Sequence, residues 1–225
     1  MPTRLLAVLF CVIVPSVTAA GPPKTRAKPS ASRPSARELL AKAEMAWTMP
    51  QGFEPAPVRS NSAMLYDLAI KSKKRKLEVR YAIRPYREEP PPGPTEVRAD
   101  KEVMFQAMIH ATVANIGQGA SVELDRLPAD FALSQLGTSN ALVAMFKPKA
   151  AGWNTYSTCM ILSMRTDRAE AHVFLLFDDL KAAQDDVLLV APSLRFTGAT
   201  ASFEGSGSGA GYGSGSGGGS GSGGY

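Results

Sequence analysis

The chain has 225 residues, 44% of them hydrophobic, with 25 Lys and Arg against 20 Asp and Glu. The formal charge of +5 is carried by the ends: from Arg37 to Gly198 there are 20 basic and 19 acidic residues, a net of +1. A nearly neutral domain has no uniform basic face, which argues against nucleic acid as a partner.

The N-terminus places Arg4 before an apolar run, Leu5 to Val14, and then small residues, Ser16 to Ala20. This order predicts a signal peptide over residues 1–20, cleaved after Ala19 or Ala20. The apolar run is about half of the ~20 residues that span a bilayer, so no integral membrane insertion is expected after cleavage. Cys11 follows the bulky Phe10 and is a poor lipidation site. Export, to the periplasm or outside the cell, is the expected destination. Cys159 is then the only cysteine left, so no internal disulfide is expected.

Residues 21–35 are rich in Pro and Ser, with Lys24, Arg26, Lys28 and Arg33 among them. They cannot bury an apolar face and predict a disordered leader. Residues 36–198 are expected to form a single domain. It opens with a helix over Ala36 to Trp47, capped by Ser35 with Glu38 three residues on and stopped by Pro50. Residues 50–61 read as turns. Two period-2 strands follow, one from Met64 to Lys71 and one from Leu77 to Arg84. Between them lies the tightest basic cluster of the domain: Lys73, Lys74, Arg75 and Lys76. It reads either as a solvated hairpin tip or as a patch for phosphate or anionic glycan.

Residues 85–99 hold five prolines and predict a long loop, with Tyr86 as a candidate docking aromatic. Asp100 caps the main helix, Lys101 to Ile116, whose stripe is Phe105, Met108, Ile109, Thr112, Val113 and Ile116. His110 falls outside that stripe. Pro128 and Gly137 bracket a short helix, and Ser139 to Phe146 is a strand. The corner Lys147-Pro148-Lys149 and the turn holding Trp153 lead into a strand at Thr155–Arg165. The next strand, Ala171–Phe177, is apolar on both faces and needs cover above and below. His172 and Cys159 read as core residues. A last helix, Leu180 to Val190, presents Leu180, Ala183, Val187 and Val190. Pro192 ends it, and Ser193 to Phe196 closes the domain. Residues 199–225 form a tail dominated by Gly and Ser and are expected to be disordered.

The chemistry-bearing motifs are missing. The sequence has no nucleophile elbow, Walker loop, zinc-protease helix, paired-cysteine motif or dinucleotide fingerprint set in a fold that would use it. Two histidines are too few for a typical His-based metal site. No catalytic residue, metal ligand or cofactor is expected.

The element order predicts an α+β architecture, a central antiparallel sheet flanked by helices. FKPK at 146–149, TYSTCMILSM at 155–164, AHVFLLFDD at 171–179 and SLRF at 193–196 resemble the second half of the PsbP-like superfamily. That group includes the photosystem extrinsic protein, the Ran-binding nuclear import factor and small exported bacterial proteins. The resemblance spans roughly residues 52–198. It implies an α/β/α sandwich and a binding or assembly role instead of catalysis, and it carries no functional residues over.

The reading is therefore an exported, non-enzymatic binding or accessory protein of the bacterial cell envelope that acts through a protein-interaction surface. Its partner is expected to be another envelope protein or an anionic envelope component. The candidate surface is Lys73, Lys74, Arg75, Lys76, Tyr86, Lys147, Lys149 and Trp153, with the Pro-rich loop and the basic tip acting together. The alternatives are a small-molecule or polyanion binder that uses the lysines and a hydrolase with an unrecognised site.

Overall fold

The computed structural model describes residues 33–86 and 100–198. The expected signal peptide, most of the leader, the Pro-rich loop after Tyr86 and the Gly/Ser tail lie outside the described residues.

Seven strands form one antiparallel sheet in the order β2-β3-β4-β8-β7-β6-β5. They are β2 (Phe53–Pro55), β3 (Leu68–Ser72), β4 (Leu77–Pro85), β5 (Asp125–Arg126), β6 (Asn140–Phe146), β7 (Thr158–Arg165) and β8 (Ala169–Phe177). β8 lies at the centre and all nine of its residues are buried. It pairs with β4 from Leu77↔Phe177 to Pro85↔Ala169, and with β7 from Thr158↔Phe177 to Arg165↔Glu170. This is the antiparallel sheet flanked by helices that the element order predicts.

Each face of the sheet has its own core. On one face Val79, Tyr81, Leu162, Met164, Val173 and Leu175 pack beneath α1 (Ala36–Lys42), α4 (Leu180–Val190) and the segment around Leu136. A two-stranded ribbon, β1 (Met45–Trp47) with β9 (Leu194–Phe196), completes that cover. On the other face Ala82, Ile161, Phe174 and Leu176 pack beneath α2 (Lys101–Gly117) through Phe105, Ile109, Val113 and Ile116. The short α3 (Ala129–Phe131) runs into a π-turn, Ala132–Leu136. Gly137 ends that turn at φ 70°, and a Cβ there would lie 2.2 Å from the Phe196 carbonyl oxygen of β9. The glycine is therefore required both by its backbone angle and by the close approach of β9.

The first helix is shorter than its pattern predicts. Ser35 and Glu38 form the expected capping box, with Ser35 N–H donating to Glu38 at 2.8 Å and Glu38 N–H to Ser35 Oγ at 3.3 Å. The helix stops at Lys42 because Glu44 turns left-handed at φ 52°, which sends Met45–Trp47 into the ribbon. Trp47 therefore packs edge-on against Tyr81 from a strand, not from a helix. Residues 53–55, read as turn, add an edge strand, and its Pro55 is tolerated there because the edge needs fewer donors.

The strand expected from Met64 begins only at Leu68. Asn61 Oδ1 accepts the N–H groups of Ala63 and Met64, which takes them out of the ladder. Asp67 Oδ2 accepts the Ile83 N–H and the Arg84 guanidinium, both at 2.8 Å. The strand expected at Thr155 likewise begins at Thr158. Met108 and Leu180 are exposed, although their spacing placed them on buried stripes.

Candidate functional site

Strand direction decides which of the predicted surface residues meet. Lys73–Lys76 precede β4 and Tyr86 follows it, so the nine residues of β4 put about 30 Å between the basic tip and Tyr86. Tyr86 N–H donates to the Arg168 carbonyl at 2.9 Å, in the turn joining β7 to β8. Asp100, where the described chain resumes, caps α2 beside that same turn: its neighbour Lys101 reaches Asp167 at 3.1 Å. Both described ends of the Pro-rich loop therefore sit at the end of the sheet opposite the basic tip. The two were expected to act together, and β4 separates them. Burial, followed by the nearby Glu170 charge, pushes the Tyr86 phenol up to about 12.

The same geometry unites two clusters far apart in sequence. Leu77 pairs with Phe177, Phe177 with Thr158, and Cys159 with Phe146. The corner after β6, with Lys147 and Lys149, thus lies at the same end as Lys73–Lys76. Three strand intervals separate β4 from β6, about 14 Å.

Two of the six cations of these two clusters are committed within the chain. The Arg75 guanidinium lies 3.8 Å from Asp185 and 3.7 Å from Asp186, and it donates to the Ala182 carbonyl at the start of α4. Lys76 Nζ lies 2.7 Å from Asp178 and 5.5 Å from the Tyr156 ring centre. Lys73, Lys74, Lys147 and Lys149 are exposed and have no ion pair among the described residues. Beside Lys147 and Lys149 lies an open depression of about 580 Å³, lined also by Asn154, Tyr156, Ser157 and Asp178.

Asp178 sits on its wall as a carboxylate. The hydrogen bond from Lys76 and then the Ser157 N–H (2.8 Å) hold its acid below the usual Asp range. A lowered folded value means that the pairing stabilises the fold above the unfolded Asp value of ~3.9. That contribution is lost as pH falls through the folded value. An acid titration of unfolding should show this term, and Asp178→Asn should remove it. Burial, followed by the Glu78 charge, raises the Tyr156 phenol to about 12.

Trp153 does not belong to this surface. It is fully buried, and its indole stacks over the Arg80 guanidinium at 4.4 Å and meets Phe174 edge-on at 5.0 Å. Arg80 is itself only 4% exposed, held between Trp153 and Tyr66 and paired with Glu78 at 2.6 Å. Trp153 Nε1–H donates to Asn61 Oδ1 at 3.0 Å. The turn carrying it is anchored on α2, since the Lys149 and Ala150 N–H groups both donate to the Ile116 carbonyl at 2.9 Å. That carbonyl would otherwise be one of the orphans at a helix end.

No protein-family model and no curated protein matches the chain. Among solved structures it is similar to that of cyanobacterial PsbP (CyanoP) from Synechocystis sp. PCC 6803. The identity is 12% and the TM-score 0.44, over 69% of this chain and 88% of that one.

Ser163, His172 and Cys159 are locked in the core. Ser163 and His172 face each other across β7 and β8 with Oγ and Nδ1 2.9 Å apart, and His172 Nε2 lies 3.8 Å from Glu170. The trio looks like a hydrolase arrangement, but Ser163 and His172 are completely buried, so no substrate reaches the hydroxyl. Burial also pushes the Cys159 thiol well above its usual range, away from the thiolate. Among the described residues there is no group of three His, Cys, Asp or Glu side chains placed to hold a metal ion. No described helix is long and apolar enough to cross a membrane.

Proposed function

We propose that this chain is an exported, non-enzymatic binding protein of the bacterial cell envelope that engages an anionic partner through the lysine end of its sheet. The observation that carries the reading is the strand register, which brings Lys73, Lys74, Lys147 and Lys149 to one end with no ion pair among the described residues. An anionic component is favoured over a protein docked jointly on the basic tip and the Pro-rich loop, because Tyr86 and the tip lie at opposite ends of β4. Burial of Ser163 and His172 supports a non-catalytic role.

The test uses heparin as a general polyanion. Retention on immobilised heparin should fall as salt rises, since the contacts are solvent-exposed charges. Replacing Lys73, Lys74, Lys147 and Lys149 with Gln should move elution to clearly lower salt. Replacing Lys42, Arg59, Arg168 and Arg195 with Gln removes the same charge elsewhere on the exposed surface and should have a much smaller effect. Equal shifts for the two quadruple variants would overturn the reading.

A further inference from the structure

We infer that the anionic partner is a membrane surface presenting phosphate headgroups. The inference rests on the lysine-end reading and narrows its ligand class. Three features of the site carry it.

The uncommitted cations of the two clusters form two pairs, Lys73 with Lys74 between β3 and β4 and Lys147 with Lys149 after β6, three to four strand intervals or roughly 14–19 Å apart. A single small anion cannot touch both pairs. The Asp178 carboxylate lines the depression beside Lys147 and Lys149 and is already paired with Lys76. The ligand must present several negative charges over a span of that size.

All four free cations are lysines. The arginine of the cluster, Arg75, is committed to Asp185, Asp186 and the Ala182 carbonyl. Arginine's planar fork selects individual carboxylates or phosphates by paired hydrogen bonds, whereas lysine acts as a mobile point charge. Four lysines fit a surface of headgroups whose positions are not fixed.

Apolar side chains rim the same end. Leu180, between Asp179 and Lys181, is 42% exposed, and Met145, two residues before Lys147, is 51% exposed. A soluble polyanion gives these side chains nothing to bury against. A bilayer interface accepts apolar side chains among basic ones, the pairing that peripheral membrane contacts use.

The test is co-sedimentation of the exported chain, without residues 1–20, with vesicles of phosphatidylcholine alone, or of phosphatidylcholine and phosphatidylglycerol in equal parts. The chain should sediment with the mixed vesicles and not with the neutral ones. The four Lys→Gln changes should weaken that partition by about tenfold or more, while the Lys42/Arg59/Arg168/Arg195→Gln control keeps most of it. Leu180→Ser with Met145→Ser should lower vesicle partition several-fold and leave heparin elution unchanged. Lysine-dependent heparin retention without partition onto the anionic vesicles would overturn the lipid inference and leave the polyanion reading standing. Loss of lysine dependence in both assays would overturn both. Equal vesicle binding by the wild type and the four-lysine variant would also overturn the lipid inference, because the attachment would lie elsewhere.

Discussion

Replacing Trp153 with alanine is expected to destabilise the fold by about 3–5 kcal/mol, the range for truncating a large buried aromatic. In a domain of this size that lowers the melting temperature by about 10–15 °C. Beyond the cavity it opens, the change takes one aromatic face from the nearly buried Arg80 and the indole donor from Asn61. Trp153→Phe retains a ring against Arg80 and Phe174 and loses the Asn61 bond, so it should cost less, about 1–2 kcal/mol. Urea unfolding followed by far-UV circular dichroism distinguishes the two. If Trp153→Ala unfolds at the wild-type midpoint, the indole is not in the core.

Replacing Gly137 with alanine has the next largest expected effect, on the order of 3 kcal/mol. A Cβ at this position meets the Phe196 backbone oxygen at 2.2 Å, and backbone cannot rotate away as a side chain can. Either the π-turn or β9 must move. Because β9 is the partner of β1, the damage should spread to that ribbon and appear as faster amide hydrogen exchange at Met45–Trp47. Gly152→Ala is the control. It has a similar positive φ of 79° with nothing within 4 Å, so it should lose only the backbone term of about 1 kcal/mol. Equal losses at the two glycines would show that the approach of β9 adds nothing.

The long elements were legible because each repeats its period several times. α2, α4 and the strands β4 and β6–β8 all lie close to where hydrophobic spacing puts them, and the apolar faces of β8 announce cover on both sides. The three-residue strands β1 and β2 were not legible, since so short a segment has no period and exists only through its partner. Side-chain capture of backbone donors by Asn61 also defeated a local reading: the alternation from Met64 continues in the sequence, but the N–H groups that a strand needs are taken.

The site was legible in part. Both lysine clusters stand out in the sequence, but their meeting depends on the register of four strands, which no local pattern reveals. The pairing of Asp178 with Lys76 has the same cause; beside Asp179 it reads only as the start of a helix. Trp153 was misplaced because its neighbours, Gly152 and Asn154, look like an exposed turn. The groups that bury it, Arg80 and Asn61, come from more than 70 residues earlier.

The pairing of β4 with β8 also sets a clock. Phe177 follows Pro85 by 92 residues, so the hairpin of β3 and β4 must wait for most of the domain to be synthesised before its inner edge is covered. At ordinary ribosomal rates of about 5–20 residues per second, that interval is roughly 5–20 s. During it the apolar edge of β4 is open to holding factors or to wrong partners. Pairing strands so distant in sequence is also slow once the chain is free.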